Sequence, residues 1–538
     1  MQDQGLKQWS RHGQCLCAAI FGRGVLRCAA LLLLPAAVCT PLAAQSGGTA
    51  ALNVPWSPLA PQSLTTATAG AAGGRVLSVA LDPGDSTGNT LYIGTTGGVF
   101  RSTNAAALSG VGFVPLTDLV PALDLEHTHI NLADVGAVTV QPGRTGVVLA
   151  GTGDPTNEPD SLYGTGILRS ADGGNSWTSI TGSRDPATHL EQNSFFGEAF
   201  AGFAWSTANT NLVVAAVTTT PGAYRVNAGY TSTSGDDSAS GLYYSGDAGQ
   251  TWQLASIQDG PNQVLQAPGQ KTGIVALAVV WNPIRQIFVA ALRNHGFYSS
   301  QNGAAWTRLQ SQPGTALGKI CQYPGSSNCP IYSAALAVQP GSGDMFALAA
   351  DQNDKDSGLW EDVCGAAGGS CSAPLPAFGK QISIAGALET SAGVIAGSSH
   401  AMWLQAIPSG PPANNDTLLF AGTQDLFRCS LAAGCVWRNA TNVNGCAAAK
   451  VGPQQHGMAW LTNTAGATTM YFGTDRGLWR SEDRVNQQQA ACSPDDATHF
   501  DNLNAALGSL AEVTAVAQDP GNANQLLAGI GTAGTAGG

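Results

Sequence analysis

Charge is scarce in this chain, and positive charge is scarcer still. Only 11% of its 538 residues are Asp, Glu, Lys or Arg, and 23 basic residues face 35 acidic ones for a formal net charge of −12. That balance counts against a duplex nucleic-acid partner, which needs a basic surplus to displace phosphate counterions. After Gln45 no run approaches the ~20 apolar residues that span a bilayer. There is no C-x-x-C pair and no paired-His spacing, so the common zinc frames are missing. No P-loop or dinucleotide fingerprint occurs, and no useful G-x-S-x-G. What the chain does have is small and apolar: 68 glycines and a hydrophobic fraction of 43%. Such a composition favours many short strands and turns over long helices or disorder. The length exceeds one ordinary hydrophobic core, so several domains or a repeat architecture are expected.

Residues 1–44 read as an export signal. Arg11, Arg23 and Arg27 precede the apolar run CAALLLLPAAVCTPLAA, and cleavage is expected at Ala44–Gln45. Lipidation at Cys39 is one alternative; an uncleaved anchor that tolerates Pro35 and Pro41 is another. Cysteine usage agrees with export. Four of the twelve (Cys15, Cys17, Cys28, Cys39) lie in this presequence, and the other eight all follow residue 320. Cys321/Cys329, Cys364/Cys371 and Cys429/Cys435 are near neighbours, which leaves Cys446 and Cys492 for each other. Disulfides in a secreted, periplasmic or cell-surface protein are expected, with zinc as the alternative.

Beyond residue 75 a phrase recurs about every sixty residues. It has an apolar strand ending near Asp-Pro or Gln-Pro, a second strand, a loop, a Gly-led strand, then a turn and a Trp. VLSVALDP (76–83), LYIGTTGGVFRST (91–103) and FVPL (113–116) make the first unit. Further units start near residues 135, 200, 275, 333, 401 and 457, and an eighth stops after VTAVAQDP (513–520) and LLAGIGT (526–532). A four-stranded sheet with two apolar faces cannot bury both alone, so copies must stack, and radial stacking gives a β-propeller. The expected fold is an all-β propeller of seven or eight four-stranded blades over 76–538, after an N-terminal segment at 45–75. NVPWSPL (53–59) reads as a stray fourth strand that could close an eighth blade, and the ending GTAGTAGG is what a fragment of a longer chain would leave.

The turns carry a resemblance. RSADGGNSWTSI (169–180) and YYSGDAGQTWQL (243–254) share the frame Ser-x-Asp-x-Gly-x-x-Trp, filled by Ser170, Asp172, Gly174 and Trp177 and by Ser245, Asp247, Gly249 and Trp252. This resembles the Asp-box, or BNR repeat, of sialidase-like propellers, xyloglucanase-like glycosidases, sortilin-type receptors and photosystem assembly factors. Ser299, Gly303 and Trp306 keep the frame with Gln301 in place of the carboxylate, and Ser102/Asn104 and Ser481/Asp483 keep its front half. The resemblance implies that the box closes the hairpin between third and fourth strands. Asp accepts turn N–H groups, Gly permits positive φ and Trp is buried between blades. Asp172 and Asp247 are therefore structural. In the fifth and sixth units Cys364–Cys371 and Cys429–Cys435 fall where the box is missing and would staple the same hairpin.

In such propellers the loops between second and third strands lie on the usual ligand face. Here GTGDPTNEPDSLYGTG (151–166) brings Asp154, Glu158, Asp160 and Tyr163, and the 218–241 loop brings Tyr224, Arg225, Tyr230, Asp236 and Asp237. Carboxylates beside aromatics suit sugars; solvated insertions are the plainer reading. Asp124, Glu126, His127 and His129 are a metal candidate against a hydrated connection. DQNDKDSG, with Asp351, Asn353, Asp354 and Asp356, resembles a calcium loop but departs from EF-hand spacing. No cofactor is expected, with calcium as the alternative at this loop. His295 and His456 read as packing or loop residues.

The sialidase R-I-P motif is absent. Xyloglucanase-like enzymes carry T-D-x-G-G-A-Y-R in their first blade with a catalytic Asp; here GTTGGVFRS places Thr96 there, and Thr cannot serve as a carboxyl acid or base. GTDRGLWRS puts Asp475 in that frame, but in the seventh unit. Asp475 and Glu158 are the catalytic candidates. The expected function is a secreted, monomeric, non-catalytic propeller that binds a glycan or an extracellular protein, or scaffolds within a larger surface protein. A xyloglucanase-like glycoside hydrolase is the alternative.

Overall fold

Seven times along the chain, four consecutive strands pair antiparallel in simple order. Blade 1 is Val76–Leu81, Leu91–Thr95, Gly98–Ser102 and Val114–Pro115; blade 2 is Val135–Val140, Val148–Thr152, Ile167–Ser170 and Thr178–Ile180. Blade 3 is Glu198–Trp205, Val213–Thr219, Gly241–Ser245 and Gln253–Leu254; blade 4 is Ala276–Asn282, Ile287–Leu292, Gly296–Ser300 and Ala305–Arg308. Blade 5 is Ser333–Val338, Met345–Ala350, Asp356–Asp362 and Lys380–Ser383; blade 6 is Trp403–Ser409, Asp416–Gly422, Leu426–Ser430 and Arg438–Asn439. Blade 7 is Gln455–Thr462, Thr468–Thr474, Gly477–Ser481 and Asp501–Asn502. First strands of successive blades pack against one another, and that of blade 7 packs on that of blade 1. The protein is thus a seven-bladed β-propeller. This computed structural model describes residues 64–66, 70–117, 134–143, 146–156, 161–220, 239–259, 264–268, 274–312, 331–365, 371–383, 386–389, 402–409, 416–443, 451–463, 466–486, 496–507, 510 and 512–531.

The blade count resolves to seven because the eighth unit stays a hairpin. Its strands, Glu512–Asp519 and Asn522–Gly531, pair only with each other, and Val516 is 65% exposed. NVPWSPL lies outside the described residues. Among the described residues no helix is long and apolar enough to cross a membrane.

The second strands explain why the sheets stack. Every residue of Leu91–Thr95, Val148–Thr152, Ile287–Leu292 and Met345–Ala350 is buried, as a strand covered on both faces requires. One apolar cluster joins Leu149 of blade 2 to Phe200 and Trp252 of blade 3. Among the described residues each blade comes from one continuous segment, and no exchanged strand closes the ring. Val76, Ile93, Tyr471, Leu478, Leu507 and Leu510 pack across the junction of blades 7 and 1. Arg480 adds N–H bonds to the Ala105 and Ala107 carbonyls at 2.9 and 2.8 Å.

The Ser-x-Asp-x-Gly-x-x-Trp turns have the expected internal geometry. The Ser170 hydroxyl donates to Asp172 at 2.8 Å and accepts the Gly174 N–H at 2.7 Å. Asp172 accepts the Ser176 amide at 2.9 Å and its hydroxyl at 2.6 Å, and these bonds hold its carboxyl down at about 2. Asp247 repeats the pattern with Thr251 at 2.9 and 2.6 Å; burial opposes ionisation there, yet the hydroxyl and amide bonds outweigh it and its pKa is lowered. Gly249 needs φ +79°, and a Cβ there would meet Leu149 at 2.6 Å. Trp252 and Trp306 are buried, and the partly buried Trp177 donates to the Leu116 carbonyl of blade 1 at 3.1 Å.

Blade 4 corrects the expected frame by one residue. Ser300, not Ser299, accepts the Gly303 N–H, at 2.9 Å, and Asn302 accepts the Ala304 and Ala305 N–H groups at 3.0 Å. The turn is one residue shorter, so Ser-x-Asn-Gly replaces Ser-x-Asp-x-Gly, an amide oxygen doing the work of the carboxylate. In blade 1 Ser102 donates to Asn104, and in blade 7 Ser481 donates to Asp483. Cys364–Cys371 and Cys429–Cys435 form disulfides at the same hairpins of blades 5 and 6. Cys321, Cys329, Cys446 and Cys492 lie outside the described residues.

Candidate functional site

First strands begin, and second strands end, on one face of the ring. At four of these ends a Thr fixes the turn. Thr95, Thr152, Thr423 and Thr474 each point a hydroxyl back onto backbone of the following loop, as when Thr152 donates to the Gly166 carbonyl at 2.7 Å. These clamps set the residues next to them, including Asp154 after Thr152 and Asp475 after Thr474.

Arg75, entering the first strand of blade 1, joins those two. Its Nη1 donates to Asp154 Oδ2 at 3.0 Å and its Nε to Asp475 Oδ1 at 2.9 Å. His456, in the first strand of blade 7, places Nε2 2.7 Å from the same Asp475 oxygen. All four side chains are at most 2% exposed. Asp154 Oδ1 accepts the Thr156 amide and hydroxyl at 2.9 and 2.6 Å, and Thr156 Oγ1 lies 2.9 Å from Ser161 Oγ. One guanidinium therefore ties blades 1, 2 and 7 together across the seam where the ring closes.

This placement revises several expectations. Asp154, expected as a solvent-facing ligand contact, is fully buried because its charge is matched by Arg75. Tyr163 is also buried, at 4% exposure, and packs edge-on to Phe196 at 5.4 Å. Burial raises its phenol pKa, so it remains a neutral donor. Thr96, in the frame of the missing catalytic Asp, only gives its N–H to the Arg75 carbonyl. Glu158, Asp160, Tyr224, Arg225, Tyr230, Asp236 and Asp237 lie outside the described residues, as do Asp124, Glu126, His127 and His129. In the DQNDKDSG turn Asp351 accepts the Asn353 and Lys355 N–H groups, and Asp356 those of Gly358 and Leu388. The carboxylates of Asp351 and Asp356 are used by backbone, and no group of three His, Cys, Asp or Glu that could hold a metal occurs among the described residues.

Sequence reasoning missed Arg75 and read His456 only as a packing or loop residue. The signal was available in the repeat: the positions entering the first strands read Arg75, Asp134, Glu198 and His456 in blades 1, 2, 3 and 7, polar groups just ahead of an apolar phrase.

Several buried polar atoms on this face have no hydrogen-bond partner among the described residues: Asp475 Oδ2, His456 Nδ1, Gln455 Oε1, Tyr163 Oη, Thr165 Oγ1 and Thr220 Oγ1. They belong to blades 7, 2 and 3, either side of Arg75. Leaving such groups unpaired costs about 1–3 kcal/mol each, so water or a polar ligand belongs beside them.

His295 sits apart, in the turn after the second strand of blade 4. Burial pushes its pKa down to about 4; Asp259 opposes this and Arg308 adds to it. The neutral ring favours the fold above the unfolded pKa of 6.5, and that contribution is lost as pH falls towards 4. Between pH 7 and pH 5 the wild type should lose about 2 kcal/mol through this residue, and His295→Gln should flatten that limb of a pH–stability curve.

No family model and no curated protein matches the chain.

Proposed function

We propose that this chain is an Asp-box propeller of the BNR type that works outside the cytoplasm as a non-catalytic binding module for a glycan or protein partner. The turn chemistry of blades 2 and 3 supports the repeat type, and the two hairpin disulfides support an oxidising compartment. The observation that carries the non-catalytic reading is the state of Asp475. A glycosidase needs two carboxyl groups facing a cleft, one free to give a proton. Asp475 is fully buried, and its Oδ1 is shared between Arg75 and His456; Asp154, the other carboxylate of the cluster, is held by the same arginine. This is a buried, ion-paired structural cluster, with its polar surroundings left for ligand or water.

The test is a glycan-array and hydrolysis screen on residues 45–538, scoring binding alongside release of reducing ends. Binding without release is the expected result. Release that disappears in Asp475→Asn or Glu158→Gln would overturn the reading in favour of a glycoside hydrolase. Silence in both assays would remove the glycan arm and leave a protein partner.

A further inference from the structure

Between the last strand of blade 2 and the first of blade 3 the chain inserts a small hairpin, Gly182–Arg184 paired with Glu191–Ser194. Its tip is fixed rather than loose: Asp185 accepts the Ala187 and Thr188 N–H groups, both at 2.8 Å. The Arg184 N–H donates to the Trp252 carbonyl at 2.7 Å, which anchors the hairpin to blade 3. Under it is a groove of about 350 Å³, lined by Thr178, Thr181, Arg184, Leu190, Glu191 and Gln250 among others.

We propose that this groove is a second binding site, which takes a neutral hexose unit of an oligosaccharide. The proposal rests on the reading of the propeller as a glycan-binding module. Arg184 and Glu191 are register partners across the hairpin, so a cation and an anion stand side by side in the lining, with His189 next to them. A guanidinium and a carboxylate are each planar and two-pronged, one donating and one accepting, which matches adjacent sugar hydroxyls. Thr178, Thr181 and Gln250 add neutral donors and acceptors. Leu190, 70% exposed, offers the apolar surface on which the C–H face of a pyranose rests. Strand and side chain are packed closely here: an added Cβ at Gly182 would sit 2.5 Å from the Asn193 carbonyl oxygen of the paired strand and 2.9 Å from both Glu191 Cγ and Cδ.

The experiment is calorimetric titration of residues 45–538 with neutral oligosaccharides of glucose, galactose, mannose and xylose, and with uronate-containing ones as charged probes. Arg184→Ala and Glu191→Ala should each weaken binding of a neutral probe at least tenfold. Gly182→Ala, which keeps both charges but crowds the Asn193 carbonyl and Glu191 and so shifts the hairpin, should weaken it as well; unchanged circular dichroism confirms folding of the propeller. If a neutral probe binds and none of the three substitutions affects it, this site is wrong while the glycan-binding reading survives. Binding of uronate probes alone overturns the neutral class. If no saccharide binds, both readings fall.

Discussion

Arg75→Met should cost about 3–5 kcal/mol of stability, measured by urea unfolding with tryptophan fluorescence. The guanidinium is the cation between two carboxylates that are themselves fully buried, and breaking a buried pair from one side strands the other charge. Met preserves most of the stem, so the loss reports charge rather than a cavity. Arg75→Lys should recover only part of it, because a single ammonium cannot bridge Asp154 and Asp475 as two separate guanidinium nitrogens do. Adding Asp475→Asn to Arg75→Met should restore stability relative to Arg75→Met alone, since it removes one of the stranded charges; this coupling is the double-mutant signature of a shared network. A loss below ~1 kcal/mol in Arg75→Met, the size of a surface ion pair, would mean that water reaches the cluster and that the blade-spanning bridge is not what closes this face.

How far the sequence went can be read from individual residues. The four-strand phrase was legible because each blade is built from local pairings whose apolar runs and turn residues repeat in register. Asp172 and Asp247 could be read as structural from the Asp-box resemblance, and the groups they satisfy do lie within four residues. Ser299 was misplaced for the same reason that the others were right: the fourth turn is one residue shorter, and a pattern matched by spacing follows the count while hydrogen bonds follow geometry. The blade number was not legible. VTAVAQDP and LLAGIGT read as first and second strands, and nothing local says whether a hairpin joins the ring. The Arg75 cluster was legible only in part. Asp154 and Asp475 stood out as carboxylates in loops, but their partner lies 79 and 400 residues away in the chain, and ring closure alone brings blade 7 back to blade 1. A loop carboxylate looks solvent-facing until the charge that buries it is found.

Gly473→Val tests that closure. Gly473 lies in the second strand of blade 7, where an added Cβ would sit 2.6 Å from the Val76 carbonyl oxygen and 2.8 Å from Val76 Cγ1 in the first strand of blade 1. Both partners belong to buried, hydrogen-bonded strands, so neither can give way without moving a blade. Overpacking a well-packed interior costs about 1–3 kcal/mol and more where backbone is the obstacle. Here the expected loss is above ~3 kcal/mol, because the obstacle includes the backbone carbonyl of Val76 and no exchanged strand is present among the described residues to hold the junction while side chains rearrange. The variant should also expand. If the ring opens at this seam, circular dichroism should keep the β signature of intact blades while size-exclusion chromatography reports a larger radius. Gly202→Ala is the control: it too lies in a strand, at the inner edge of blade 3, but nothing lies within 4 Å of its added Cβ. Its stability should change by no more than ~0.5 kcal/mol, or rise slightly as the unfolded chain loses freedom. Equal effects at the two glycines would mean that both report strand propensity. A loss confined to Gly473, with expansion, would locate the weakest junction of the ring beside Arg75 and would tie the polar cluster on that face to holding the propeller shut.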